Sequence, residues 1–87
     1  MAPMASIQSV DQFVERLGKL TDVEYGDFKR KAGFYITELE KALGKNLTAP
    51  KKEVINRLRL LVVYNNPTDD IDTVRDQAIE LARRLQA

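Results

Sequence analysis

The stretch Tyr25 to Gly44, YGDFKRKAGFYITELEKALG, decides how the chain is read. Tyr25, Phe28, Ala32, Tyr35, Ile36, Leu39 and Leu43 recur at spacings of mostly three and four, which places them on one face of an α-helix. No period-two alternation competes with that pattern. Upstream, Thr21-Asp22-Val23-Glu24 has the form of a capping box, so the helix is expected to begin at residue 22. It is expected to end at Leu43, because Gly44 follows as the residue type that turns out of a helix at least conformational cost.

Three further amphipathic segments surround this one. Ser9-Val10-Asp11-Gln12 fits a second capping box, and Val10, Phe13, Val14, Leu17 and Leu20 fall at helical spacing, predicting a helix over 9–20 that meets the next at a tight corner. Downstream, Lys45 to Pro50 forms the longest internal connection, and Pro50 suits the first turn of a helix over 50–64. The core face there is Val54, Ile55, Leu58, Leu61 and Val62, while Leu60, Val63 and Tyr64 make the last turns apolar on every side. Asn65-Asn66-Pro67 ends that helix, and Thr68-Asp69-Asp70 opens a fourth over 69–86. Its Ile71, Val74, Ala78, Leu81 and Leu85 form a narrow seam of the kind that bundles use. Short connections make successive helices neighbours. The expectation is an all-α chain folding as a compact four-helix bundle, one domain over 9–87 behind a flexible arm at 1–8, with the short first helix packing across one end. A three-helix bundle whose fourth helix pairs between protomers is the alternative.

A chain of 87 residues has room for one core, and its 44% hydrophobic and 31% charged residues are those of a globular domain. There is no Cys and no His, which removes disulfides, thiol and imidazole catalysis and ordinary zinc sites. Glu38 and Glu40 point to different sides of one helix and offer no acid–base pair. The acidic stretch near Asp70 lacks the Gly and the closing Glu of a calcium loop, and Asn46-Leu47-Thr48 matters as a glycosylation sequon only in a secreted chain. The chain therefore reads as non-enzymatic, without metal or cofactor. The longest apolar run, Leu60 to Tyr64, is far short of the roughly 20 residues of a membrane span, and the start lacks the pattern of a signal peptide, so a cytoplasmic location is expected.

Charge is segregated along the chain. Lys29, Arg30, Lys31, Lys41, Lys45, Lys51, Lys52, Arg57 and Arg59 stand against only Glu38, Glu40 and Glu53, a net +6 within a molecule of net +1. Such segregation bears on partners and not on fold. Projected at about 100° per residue, Arg30, Phe34 and Lys41 lie opposite the core face of the second helix. Lys52, Arg59 and Val63 share an outward flank of the third, with Leu60 and Tyr64 near the next. An outward aromatic among cations suits an interface anchor. A bend at Gly33, or cover from the first helix or the N-terminal arm, would instead bury Phe34.

The expected function is a regulatory or adaptor module that binds a protein carrying acidic and apolar groups through Arg30, Phe34, Lys41, Arg59, Val63 and Tyr64. Asp69, Asp72, Asp76 and Glu80 line one outward stripe of the fourth helix and form a candidate second surface, which brings self-association into view. The alternative is binding of a nucleic-acid backbone through Lys29, Arg30, Lys31, Lys51, Lys52 and Arg59. Against it stand a pI near 8.0 and a joint too long, and proline-bearing, for a helix-turn-helix.

Overall fold

The computed structural model describes residues 7–21, 23–64 and 70–86. Among them are four α-helices: α1 (Val10–Gly18), α2 (Tyr25–Leu43), α3 (Ala49–Val62) and α4 (Ile71–Arg83), with single 3₁₀ turns over Gly44–Asn46 and Arg84–Gln86. The all-α four-helix bundle is thus the observed fold. Its Cα radius of gyration, 12.5 Å, is close to the roughly 12 Å expected of a compact domain this long.

Each boundary has a local cause. The cap of α1 forms: the Gln12 backbone N–H donates to Ser9 Oγ at 3.2 Å, while the Gln12 side chain reaches one residue past the cap and accepts from the Gln8 N–H at 2.7 Å. The expected box at Thr21 does not form. α2 starts three residues later than the pattern suggests, with Glu24 as an extended N-cap that makes no side-chain bond. Leu20 is buried and Val23 is packed against the core, so apolar burial holds the corner extended. Arg75 Nη1 adds a 3.4 Å bond to the Leu20 carbonyl. At the far end, Gly44 takes φ +43°, a conformation that other residues avoid. α3 starts at Ala49, with Pro50 in its first turn, and finishes at Val62, two residues before the expected end. For α4 the cap is Asp70, whose carboxylate accepts from the Thr73 backbone N–H at 3.3 Å and hydroxyl at 3.0 Å. Asp69 and the expected helix opening at Thr68 lie outside the described residues.

The helices close into a ring in which α1 touches α2 and α4, and α3 touches the same two. α4 runs antiparallel to α1: Gln86 Nε2 donates to Asp11 Oδ1 at 2.6 Å at one end, and Arg75 reaches Leu20 at the other. α2 and α3 are antiparallel too, since Gly33 faces Val63 while Glu40 meets Arg59. α1 crosses α2 instead, because Gln8 and Arg16 both reach the stretch around Glu38. Phe13, Leu17, Phe28, Ile36, Leu39, Ile55, Leu58 and Val62 are fully buried at the centre, and Ala32, Ala78 and Ala82 bring the backbones close. The core also begins earlier than expected. Ile7, assigned from the sequence to a flexible arm, is only 1% exposed and belongs to the core cluster: it precedes the extended N-cap Ser9 and is buried outside the helix. Residues 1–6 of that arm lie outside the described residues.

Candidate interaction surface

α2 carries the candidate surface because only one of its faces is needed for the core. Phe28, Ala32, Ile36 and Leu39 point inward, which sends Phe34 to the opposite side, where it is 60% exposed. No bend at Gly33 turns it in. The Phe34 ring lies 6.4 Å from that of half-buried Tyr35, tilted by 57°, so its inner edge is supported while its outer face is open. Leu60 and Tyr64, at 62% and 74% exposure, are the other large hydrophobics left outside among the described residues.

Phe34 forms one wall of an open groove of about 360 Å³. Thr37, Glu38, Lys41 and Ala42 continue the α2 side, and Ile7 and Gln8 form the facing bank. Lys41 is therefore beside Phe34 as expected. Thr37 directs its hydroxyl to the Gly33 carbonyl at 3.2 Å. Glu38 is the least expected member: its side chain is mostly buried, Arg16 Nη1 stands 3.9 Å from Oε1, and that oxygen has no hydrogen-bond donor among the described residues. The signal for Glu38 was faint, an acid between core residues Ile36 and Leu39. Ile7 left none in helical spacing, because it precedes the extended N-cap Ser9.

Other expected contact residues are spent inside the molecule. Arg59 Nη2 donates to Glu40 Oε1 at 2.7 Å, an ion pair that joins α3 to α2 and holds the Glu40 carboxyl below its ordinary range. Burial opposes that lowering, while the charges of Arg59 and Lys52 assist it. Together the Arg16–Glu38 and Arg59–Glu40 pairs pin α2 from both sides. Val63 packs on Gly33, where a Cβ would meet Val63 Cγ2 at 3.4 Å, so it belongs to the helix contact more than to an outer face. Arg30 pairs with Asp27 at 2.6 Å. The sequence projection placed Arg59 and Val63 outward because a wheel knows the core direction but not where the neighbouring helix lies.

The basic residues of the alternative reading are distributed over α2 and α3, and the charges of Lys52 and Arg59 both act on Glu40. Lys29 lies 5.1 Å from the centre of the Tyr25 ring, Lys31 points outward on α2, and Lys51 borders a separate depression with Thr48, Pro50, Val54 and Arg84 at the start of α3. On α4, Asp72 bonds Arg75 at 2.8 Å and Asp76 is 3.9 Å from the same guanidinium, while Glu80 borders the cleft between α3 and α4. No group of His, Cys, Asp or Glu among the described residues is arranged to hold a metal ion, and no described helix is long and apolar enough to cross a membrane. No protein-family model, no curated protein and no solved structure matches the chain.

Proposed function

We propose that the chain is a cytoplasmic, non-catalytic interaction module of regulatory or adaptor type, and that it binds an acidic, apolar protein surface with the outer side of α2. Phe34 carries this reading. Phe13 and Phe28 are fully buried, whereas Phe34 stands 60% exposed beside a groove with Lys41 on its rim. Leaving such a side chain 60% exposed forgoes roughly 1–2 kcal/mol of burial, which a partner surface would recover. Aromatics with a cationic rim are the side chains that most often anchor interfaces. A chain without Cys or His supports the non-catalytic part of the proposal.

The reading is tested by titrating the protein with duplex DNA and single-stranded RNA at about 50 mM salt, where backbone binders are strongest. In parallel, wild type and Phe34→Ala are compared for retention of a protein partner. No nucleic-acid shift, with retention lost in Phe34→Ala and tolerant of salt in wild type, is the expected result. Nucleic-acid binding that falls log-linearly with salt, or equal retention by Phe34→Ala, overturns the proposal.

A further inference from the structure

Two hollows lie along the seam between α3 and α4. One, of about 380 Å³, is bordered by Lys51 and Val54 of α3 and by Arg84 just past α4; the other, of about 340 Å³, by Arg57 and Leu61 of α3 and by Glu80, Leu81 and Arg84. Arg84 borders both, so they adjoin as one groove. On α3 the groove runs from Lys51 to Leu61, about 15 Å of helix. Val54, Leu61 and Leu81 are half-buried hydrophobics packed on the core, and they give it an apolar floor. Its charge is uneven. Neither Lys51 nor Arg84 has an ion-pair partner among the described residues, and the first turn of α3 holds no acid to balance them. Arg57 is already bound to Glu53 at 2.8 Å, and Glu80, the only acid among the described residues bordering either hollow, stands in the Leu61 half. The groove is thus apolar along its floor and cationic at its Lys51 end.

We propose that this groove docks an acidic amphipathic helix of a partner protein, its apolar side chains on Val54, Leu61 and Leu81 and its carboxylates against Lys51 and Arg84. The site is additional to the α2 surface and does not depend on it. An amphipathic helix seats in such a groove through side chains at i, i+3 or i+4 and i+7, a span of about 10 Å that the α3 stretch accommodates. Lys51 and Arg84 supply the selection. Unpaired cations beside apolar surface favour a carboxylate and oppose a basic helix. A nucleic-acid backbone fits less well, because it brings phosphates to Glu80 as well as to the cations and leaves the apolar floor unused. A contact this small binds weakly.

The probe is a stapled helical peptide of about 14 residues, with leucines along one face and glutamates beside them. It is titrated to about 1 mM into isotope-labelled protein and followed by NMR, a limit at the weak end of specific affinity. Backbone amide signals are expected to shift along Lys51–Leu61 and Gln77–Arg84 and to stay still around Phe34. Lys51→Glu with Arg84→Glu is expected to weaken binding about tenfold or more, as attraction becomes repulsion at both contacts. Lys31→Glu with Lys41→Glu makes the same change of net charge on α2 and is expected to leave binding within about twofold, because distant charges are screened. A peptide with lysine for every glutamate is expected to bind the Lys51→Glu, Arg84→Glu protein and not wild type. Arg84, Lys31 and Lys41 are exposed and Lys51 is half-buried, and thermal unfolding matched to wild type confirms that the fold is kept. No shift at the highest concentration, equal loss in both double variants, or a single-stranded DNA that shifts the same signals more strongly than the peptide overturns the inference. Shifts centred on Phe34 overturn it too while leaving the α2 reading intact, because that reading fails by its own test, nucleic-acid binding or undiminished retention by Phe34→Ala.

Discussion

Phe34 and Gly44 show how differently single residues act in a small helical domain. Phe34 touches little within the molecule, so Phe34→Ala is expected to change stability by no more than about 0.5 kcal/mol in urea unfolding while abolishing partner retention. A loss of several kcal/mol would show instead that the ring is a packing element. Gly44 is the reverse case. A Cβ there meets nothing within 4 Å, yet the backbone at φ +43° and ψ −114° is one that side-chain-bearing residues rarely adopt. Gly44→Ala is expected to cost about 1–3 kcal/mol, measured as a lowered urea midpoint at unchanged slope. Both roles follow from position alone: Phe34 opposite the α2 core stripe, Gly44 one residue past it. Glu38 illustrates the opposite case, for it meets Arg16 of α1 and borders a groove with Gln8 from the segment before α1.

At the scale of elements, caps and interhelix pairs decide where helices begin and how they are held. Asp70 satisfies the first turn of α4 with two bonds, and Asp70→Ala is expected to cost about 1 kcal/mol, read by thermal or chemical unfolding. The α2 start has no such bond, which explains why a capping-box pattern at Thr21 misplaces it: the pattern supplies an acceptor, but burial of Leu20 and Val23 sets the direction of the chain. Glu40 contributes through pH. Its carboxyl lies below the ordinary 4.5 because Arg59 hydrogen-bonds to it. A carboxyl lowered by folding adds stability that is fully present above its unfolded value and is lost as pH falls through the folded one. Wild type is therefore expected to exceed Glu40→Gln by about 0.5–1 kcal/mol at neutral pH, the two converging in acid. A gap that persists in acid would show that the pair acts by packing alone.

For the whole molecule, stability rests on a single apolar centre with no fully buried polar or charged residue among those described. Phe13→Ala empties part of that centre and is expected to cost about 3–5 kcal/mol. Against the roughly 4–13 kcal/mol available to a domain of 87 residues, that is enough to leave a large unfolded fraction near physiological temperature. Circular dichroism at 222 nm against temperature measures it. Four helices, their core faces and the position of Phe34 opposite one of them are legible in the chain, because helical periodicity is a local property and the inward stripe dictates what lies opposite. That the Phe34 ring stays exposed was settled by tertiary structure. Ile7 in the core, the crossing of α1 over α2, the capture of Arg59 by Glu40 and the groove beside Phe34 were decided only by tertiary structure. Each depends on which surface of one helix meets which surface of another, a relation between residues far apart in the chain that no local spacing encodes.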